Sequence, residues 1–334
     1  MKLRKLLLSA TATTALVATA LLVPSAAIAH GGHPGRGHGS HTTVLTTGLQ
    51  GATGGTIGPD GALYVTEAIT GSITRVDTTT GEKTTFTTGL PTRVADIAGA
   101  IDVAFVGKAA YALVSVVGPD AGGTAVDGIY RVDDPDSATL VADLGEWSRT
   151  HPPATDFFLD RGVQFAFQPV RGGFLVTDGH HNRVLHVTRS GVISELIAFG
   201  NTVPTGLDVR NGTVYLAEAG PVPHAPADGK VIAFAAKHPS SARTVAAGYS
   251  LLVDVEFGPG GLYALSQGDS PGEVPAGSPA LPTSGELLKV THNGTFSVVA
   301  SGLNLPTSVD FVRDTAYIVT LGGEVVKVTH VSTR

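Results

Sequence analysis

Residues 201–220 read NTVPTGLDVRNGTVYLAEAG, and this stretch contains two short apolar strands separated by a tight turn. The turn is formed by Asn211 and Gly212, and an Asn-Gly pair between two apolar runs is a strong signal for a β-hairpin. Similar stretches begin at residues 54, 99, 161, 251 and 306. Six copies of a strand-only unit, spaced by about fifty residues, predict an all-β fold, a six-bladed β-propeller.

The composition agrees with one large all-β domain. The chain has 334 residues, with 43 glycines, 20 prolines and no cysteine. Many short strands joined by tight turns require such glycine and proline residues. We therefore expect a single propeller domain over residues 42–331, held together by its core without disulfides.

The first strand of this domain is predicted to close the ring. Residues 41–49, HTTVLTTGL, match the closing strands of other units at residues 83–91 and 295–306. The last copy ends at Arg334, one strand short of a complete unit. If the N-terminal strand joins the last blade, the ring has no open edge that could pair with another chain.

The N-terminal 29 residues have the pattern of an export signal. Residues 1–5 are basic, residues 6–23 are apolar or small, and Ala27-Ile28-Ala29 is a typical cleavage motif. No second apolar run is long enough to span a membrane. The sequence therefore predicts a secreted, extracellular protein that does not stay in the membrane after cleavage.

The charge balance excludes some classes of partner. The full chain has 22 basic and 28 acidic residues. Removal of the signal with Lys2, Arg4 and Lys5 leaves 19 basic against 28 acidic residues, a net charge of −9. Such a charge does not attract nucleic acid or anionic lipid. We expect neither of these partners, and we expect a monomer.

Residues 30–41, HGGHPGRGHGSH, are rich in glycine and histidine and have no apolar periodicity. This composition is typical of a flexible tether. The alternative is metal capture, because cleavage after Ala29 would leave His30 as the new terminus. Its free amine and imidazole, with His33 nearby, could chelate Cu(II).

Residues 174–191, FLVTDGHHNRVLHVTRSG, resemble the NHL repeat, in which an aliphatic strand, an acidic residue, an Asn-Arg segment and an amphipathic strand end at a glycine. Together with residues 58–77 and 203–220 and the export signal, the six units are similar to the ScyD/ScyE family over residues 42–331. That family is named for products associated with scytonemin pigment biosynthesis. The resemblance implies a secreted propeller of the NHL or TolB type, and it implies no particular activity.

Long loops are predicted to gather on one face of the ring. Strands alternate in direction, so the links between second and third strands share a face with the links between blades. The long links span residues 118–128, 143–162, 220–229 and 268–285. Binding sites are commonly built from long loops on a rigid scaffold. We therefore expect a small molecule, a glycan or a protein to bind on this long-loop face.

The candidate ligand contacts are polar or aromatic residues of these links and of the ends of the second strands. They are Glu67, Trp147, His151, Asp156, Arg161, Asp178, His180, Glu218 and His224. Glu67, Asp178 and Glu218 could be acid/base residues at the mouth of the central channel, or they could cap the adjacent turns. The residues from 147 to 161 could contact a ligand or could simply cover the channel.

Several inner strands carry a carboxyl or amide residue that aligns at the same place in the repeat. These residues are Asp102, Gln164, Asp208, Asp254 and Asp310. Carboxylates near the axis could hold Ca²⁺ or another divalent cation through their oxygens. They could instead accept backbone N–H bonds from a neighbouring blade, since buried carboxylates persist when they are hydrogen-bonded. The second interpretation is favoured.

Two functions remain open. The first is a non-catalytic extracellular binding module with its ligand on the long-loop face. The second is a metal-dependent hydrolase or isomerase resembling gluconolactonase-like propellers, which are expected to carry acidic ligands next to a glycine on the inner strands. This chain has Thr205 and Thr307 at two such points. It also lacks the G-x-S-x-G, H-E-x-x-H and phosphate-loop motifs, which favours the binding module.

Overall fold

The computed structural model describes residues 40–95, 98–157, 161–272 and 278–333. The predicted signal at residues 1–29 and most of the segment at residues 30–41 lie outside this range. Within it, 24 strands form six antiparallel sheets of four strands each. This arrangement confirms the predicted six-bladed β-propeller.

The strands follow the predicted units closely. The first blade and the strand that precedes it are β1 (His41–Thr46), β2 (Ala52–Ile57), β3 (Leu63–Glu67), β4 (Ser72–Val76) and β5 (Lys83–Thr87). The second blade is β6 (Gly99–Val106), β7 (Ala109–Ser115), β8 (Gly128–Asp134) and β9 (Ser137–Asp143). The third blade is β10 (Gln164–Val170), β11 (Gly173–Asp178), β12 (Arg183–Thr188) and β13 (Ile193–Ala198).

The remaining blades repeat the same order. The fourth is β14 (Val203–Arg210), β15 (Thr213–Gly220), β16 (Gly229–Ala235) and β17 (His238–Tyr249). The fifth is β18 (Leu252–Gly258), β19 (Gly261–Ser266), β20 (Gly285–Val290) and β21 (Phe296–Leu303). The sixth is β22 (Pro306–Val312), β23 (Thr315–Thr320) and β24 (Val325–Thr329), completed by β1.

Helical structure is confined to short links. The α-helix α1 (Leu144–Thr150) lies between the second and third blades, and 3₁₀ turns occupy Pro119–Ala121 and Val331–Thr333. The Asp143 side chain caps the helix by accepting a hydrogen bond from the Glu146 N–H. None of the described helices has the length and apolar character needed to cross a membrane.

Ring closure occurs as predicted. Strand β1 pairs antiparallel with β24, with His41 opposite Thr329 and Val44 opposite Val326. The last blade therefore takes its outer strand from the other end of the domain. This pairing protects β24 from becoming an open sheet edge.

The hairpin that led to the fold assignment has the turn that its sequence predicts. Arg210 pairs with Thr213, so that only Asn211 and Gly212 connect β14 and β15. Both turn residues have positive φ, 53° and 77°. Positive φ at both central positions is the type I′ geometry that Asn and Gly adopt at little cost.

The core lies between adjacent blades. The second strands are the most buried elements, and every residue of β3 and β11 is buried. Aromatic side chains fill the contacts between blades. Tyr64 of the first blade lies edge-on to Phe105 of the second, with ring centroids 4.8 Å apart. Such pairs add about 0.5–1.5 kcal/mol beyond simple burial.

Candidate functional site

A cavity of about 1000 Å³ runs along the axis of the propeller, and inner strands of all six blades line it. Its wall continues towards the long-loop face through residues that follow the second strands. These residues include Val116, His180, Gln267 and Leu321. A cavity of this volume is large enough for a drug-sized molecule. It is the candidate functional site.

β-Bulges set the height of the side chains that face this cavity. Near its start, each inner strand shifts register against the second strand of its blade. Examples are the shifts between Ala100 and Asp102 and between Leu252 and Asp254. Corresponding shifts occur in the other four blades. A bulge places two residues opposite one and thereby re-aims the side chains that follow it.

The residues opposite each inner strand show that the carboxyl groups lie in two layers. Asp208 and Asp310 lie opposite Tyr215 and Tyr317, which occupy equivalent places in the second strands. Asp102 and Asp254 lie opposite leucines that come two residues later than these tyrosine positions. The two layers are therefore about 6.6 Å apart along the strands.

We name the layers by their position relative to the long-loop face. The upper layer, nearer that face, consists of Gly54, Asp102, Ala166, Gly206, Asp254 and Ser308. The lower layer consists of Thr56, Ala104, Gln168, Asp208, Glu256 and Asp310. Gln164 lies above both, because it pairs with Asp178 at the end of β11. The prediction that Asp102, Gln164, Asp208, Asp254 and Asp310 share one position was therefore wrong, since the tyrosine positions, rather than the acidic residues, mark equivalent heights.

In the upper layer, two carboxyl groups connect neighbouring blades. Asp102 accepts hydrogen bonds from the backbone N–H of Val103 at 2.8 Å and from that of Phe167 in the next blade at 3.1 Å. Asp254 accepts from Val255 at 2.8 Å and from Val309 in the next blade at 2.8 Å. Both oxygens of each side chain are thus used in holding two blades together.

The lower layer repeats this arrangement at other blade contacts. Asp208 accepts hydrogen bonds from the N–H of Val209 at 2.5 Å and of Phe257 at 3.1 Å. Asp310 accepts from Phe311 at 2.6 Å and from Ile57 of the first blade at 2.6 Å. The four aspartates therefore make the backbone hydrogen bonds that the structural interpretation expects.

Glycine in the preceding blade makes room for each upper-layer carboxyl group. A Cβ atom at Gly54 would lie 2.5 Å from an Asp102 oxygen, and one at Gly206 would lie 2.2 Å from an Asp254 oxygen. Real Cβ atoms do not approach other atoms so closely. The Gly-Asp pairing explains why these two glycines occur where other blades carry alanine or serine.

The threonines at the positions expected for acidic ligands have a structural role of the same kind. Thr205 Oγ1 donates to the carbonyl oxygens of Ala217 at 3.1 Å and of Leu252 in the next blade at 2.9 Å. Thr307 Oγ1 lies 2.5 Å from the carbonyl oxygen of Thr53 in the first blade. A hydroxyl can donate in this way, whereas an ionised carboxylate cannot.

Glu256 is a cavity residue that the sequence analysis missed. It lines the lower layer of the cavity, near the carboxyl groups of Asp208, Asp254 and Asp310. No backbone N–H donates to it among the hydrogen bonds of the described chain. The signal was present in VDVEF, because Glu256 follows Asp254 by two residues and alternate residues of a strand face the same way.

The carboxyl groups that line the cavity favour their protonated forms. Burial raises the pKa of Asp102 to about 7, despite the N–H bonds from Phe167 and Val103. Burial raises the pKa of Glu256 well above its usual range, and nearby Asp310, Asp208 and Asp254 add to the effect. Burial also raises the pKa of Asp254 and Asp310. Close carboxyl groups in a low dielectric cannot all ionise at once.

At the mouth, Arg161 and His180 are the predicted contacts that do line the cavity. Arg161 is held by Asp120, with Nε 3.1 Å from the carboxylate and Nη2 2.9 Å from the carbonyl oxygen. Burial lowers the pKa of His180, and nearby His224 lowers it further. The imidazole at the mouth is therefore neutral near pH 7. His224 itself does not line the cavity, and burial lowers its pKa as well.

Trp147, His151 and Asp178 belong to a network beside the third blade rather than to the cavity wall; Asp178 is buried, Trp147 is half-buried and His151 is exposed. The Trp147 and His151 rings stack with centroids 4.6 Å apart. Arg183 lies over Trp147 at 4.9 Å and donates to Asp178 at 2.8 Å. Burial raises the pKa of Asp178, but His181 and Arg183 outweigh that effect and hold it below its usual value.

The other predicted contacts also lie outside the cavity lining. Glu67 accepts hydrogen bonds from the Gln50 N–H and the Thr74 hydroxyl. Glu218 is buried and lies 3.2 Å from Lys230, and burial raises its pKa against the opposing effect of that lysine. The carbonyl of Asp156 accepts a hydrogen bond from Asn182 at 3.0 Å. These contacts join Glu67 to the link before β2 and to β4, and Glu218 to β16.

The donor arrangement does not form a recognisable metal centre. In the described part of the chain, no group of three or more His, Asp or Glu side chains is placed to hold a metal ion. His30 and His33 lie outside that part. The carboxyl groups that line the cavity are instead spread over two layers and several blades.

Neither a protein-family model nor a curated protein sequence matches this chain. Solved structures do match it. A gluconolactonase from Xanthomonas campestris is 12% identical with a TM-score of 0.59, over 87% of this chain and 89% of that chain. The PQQ-bound aldose sugar dehydrogenase of Streptomyces coelicolor is 14% identical with a TM-score of 0.56, over 87% and 98%.

A third similar structure is virginiamycin B lyase from Staphylococcus aureus. It is 12% identical with a TM-score of 0.52, over 87% of this chain and 98% of that chain. At such identities the likeness establishes the propeller fold and not the activity. The three proteins carry different activities on one architecture, so function has to be argued from the cavity of this chain.

Proposed function

We propose that this protein is a secreted six-bladed propeller that binds a small organic molecule in its central cavity, entered from the long-loop face. The observation that carries this proposal is the cavity itself, about 1000 Å³ in volume, with a wall that extends to the predicted face. Its lining combines apolar residues such as Phe165, Val203 and Leu321 with polar residues. This combination is typical of ligand pockets.

Binding without catalysis is favoured because most polar groups of the channel already have structural partners. Asp102, Asp208, Asp254 and Asp310 each accept two backbone hydrogen bonds, and one of each pair comes from the next blade. Groups engaged in this way hold the ring together. They are poorly placed to exchange these bonds for a substrate during a reaction.

A hydrolase or isomerase is the second candidate, and one observation favours it. Glu256 lines the cavity near Asp208, and burial raises the pKa of Glu256 well above its usual range. A carboxyl group with a raised pKa in a cavity is a common acid/base device. The reaction considered for this alternative is lactone hydrolysis with a divalent cation such as Ca²⁺, because a gluconolactonase is among the similar structures.

The family and the cellular location are part of the same proposal. The strand and turn pattern of the six units supports membership of the ScyD/ScyE family, an NHL-like group. The pattern of residues 1–29 supports export to the extracellular space. The net negative charge supports a partner other than nucleic acid or anionic membrane, and we propose a monomer. Copper capture by His30 and His33 remains a separate hypothesis.

The test uses the mature chain and the neutral dye Nile red, whose fluorescence rises in apolar surroundings. We expect one dye molecule per chain. Leu321→Arg places a long charged side chain at the cavity mouth, and we expect about tenfold weaker dye binding. Ile69→Arg is the matched control, since Ile69 is 43% exposed and does not line the cavity.

Lactone hydrolysis distinguishes the two candidates. A pH-stat assay with glucono-lactone, with and without added Ca²⁺, should show no rate above background for the wild type. A rate that disappears in Glu256→Gln would overturn the binding proposal in favour of the enzyme. Equal dye binding by wild type and Leu321→Arg would contradict the assignment of the cavity as the binding site.

A further inference from the structure

Glu256 has no structural task of the kind that the four aspartates perform. The aspartates receive backbone N–H bonds from two blades, whereas no backbone N–H of the described residues donates to Glu256, which lies near Asp208. Its side chain faces the cavity beside Asp310 and Asp254. A carboxyl group buried among other carboxyl groups ionises only at a high cost unless a positive charge accompanies it.

Asp254 and Glu256 lie on the same strand, two residues apart, and both line the cavity. The separation of the two layers along the strand is about 6.6 Å. Among the described residues, no group of three or more His, Asp or Glu side chains is placed to hold a single metal ion here. A molecule with two positive ends joined by a short chain can reach both layers.

An independent observation in the same place also points to a ligand. Ser308 lies in the upper layer, in the blade next to Asp254, and lines the cavity. Its side chain is 9% exposed, and its hydroxyl has no hydrogen-bond partner. A buried hydroxyl without a partner carries a cost of about 1–3 kcal/mol that a bound N–H donor would relieve.

We propose that the cavity binds a linear aliphatic diamine, with one ammonium group between Asp254 and Ser308 and the other beside Glu256 and Asp208. This inference rests on the proposed binding function and names its ligand class. The methylene chain would lie along apolar parts of the wall, such as Val309 and Phe165. The one cationic side chain of the described lining, Arg161, is paired with Asp120 at the mouth.

The charge balance of the cavity supports a cation over an anion. Four carboxyl groups line it, namely Asp102, Asp254, Glu256 and Asp310, and Asp208 lies near Glu256. The neutral imidazole of His180 adds no positive charge. An anionic ligand would meet these acids, whereas a diamine would let them ionise and release their protons to solvent.

The experiment is isothermal titration of the mature chain with 1,4-diaminobutane at pH 7, in two buffers of different ionisation enthalpy. We expect one site per chain and net proton release on binding. Butylamine should bind at least tenfold more weakly, since it reaches one layer, and 1,4-butanediol should not bind. This comparison within the wild type tests the inference even if a variant fails to fold.

Variants test the residues. Glu256→Gln keeps the shape of the side chain and removes the charge, and we expect ~30-fold weaker binding of the diamine. Ser308→Ala should weaken it by about 2- to 12-fold. Glu82→Gln, an exposed glutamate outside the cavity lining, is the control for unspecific attraction to this acidic protein and should bind as the wild type does.

The possible failures are distinguishable. Nile red binding without diamine binding would overturn the ligand class and leave the proposed function intact. Failure of both probes would overturn both. Binding of CaCl₂ in place of the diamine, or a diamine affinity unchanged in Glu256→Gln, would also overturn this inference.

Discussion

The Nε atom of Arg183 lies 2.8 Å from Oδ2 of Asp178, and both side chains are buried, at 1% and 0% exposure. Ser148 and Gln164 also donate to this carboxylate, at 3.1 and 3.0 Å. The pair thus joins three segments of the third blade and the link before it. The acidic residue and the Asn-Arg segment of the NHL-like pattern are therefore structural parts of this chain.

Replacement of Arg183 should strongly destabilise the folded protein. In Arg183→Met the Asp178 carboxylate would remain buried without its main partner, and we expect a loss of about 3–5 kcal/mol in the free energy of unfolding. Urea denaturation at pH 7 measures it. The control is Arg131→Met, which removes a surface pair with Asp133 and should leave the stability nearly unchanged. Similar losses in both variants would contradict the assigned role.

The Gly-Asp packing of the upper layer predicts a second effect. In Gly206→Ala the added methyl group would lie 2.2 Å from an Asp254 oxygen and 2.6 Å from its Cα, so the backbone must move. We expect a loss of about 1–3 kcal/mol. Gly200→Ala is the matched control, because no atom lies within 4 Å of its added Cβ. Thermal unfolding of both variants gives the comparison, and a stable Gly206→Ala protein would refute the packing argument.

The raised carboxyl pKa values predict that stability falls as pH rises. Asp102, with a pKa of about 7, binds a proton in the folded state that it has already lost in the unfolded state above its ordinary pKa of 3.8. Its contribution is complete below that value and is lost as pH rises to 7, with a slope of up to about 1.4 kcal/mol per pH unit. Asp254 and Glu256 act in the same direction.

Urea denaturation at pH 5, 6, 7 and 8 measures this dependence. The wild type should be most stable at the acidic end of the range. Asp102→Asn cannot titrate, so its stability should vary less with pH although it is lower at pH 5. A wild type that gains stability from pH 5 to pH 8 would show that these groups are ionised in the folded protein.

Ring closure by β1 predicts the outcome of two truncations. A chain that starts at residue 40 keeps β1 and should remain monomeric with the melting temperature of the mature protein. A chain that starts at residue 47 lacks the partner of β24 and exposes that strand as an edge. We expect it to aggregate or melt at least several degrees lower. Size-exclusion chromatography and circular dichroism decide, and equal behaviour of the two chains would contradict closure by β1.

The fold could be predicted from the sequence because the turn residues and the apolar strand pattern recur in every unit. The Asn211-Gly212 turn fixed one hairpin, and its copies gave the number of blades and the closing strand. These signals are local, and each unit folds by the same local rules.

The cavity was less accessible for a physical reason. Its side chains come from six strands, and a bulge in each strand decides their height. An alignment that places Asp102 with Asp208 treats residues of the upper and lower layers as equivalent. An alignment on Tyr215 and Tyr317 assigns them to different layers. Glu256 is the lower-layer counterpart of Asp208 and Asp310, and it was overlooked because Asp254 of the same strand was aligned with them instead. The partners of Trp147, His151 and Asp178 come from packing across links, which no repeat pattern encodes.

The pairing of His41 with Thr329 also constrains the order in which the ring can form. Five blades are each built from neighbouring segments, but the sixth joins residues separated by almost the whole domain. Bringing such distant segments together has a large entropic cost, and contacts of this range slow folding. The sixth blade should therefore be the last to assemble. A ligand that contacts inner strands of both the fifth and the sixth blade, as Asp254 and Ser308 would require, would stabilise the ring beside the blade that completes it.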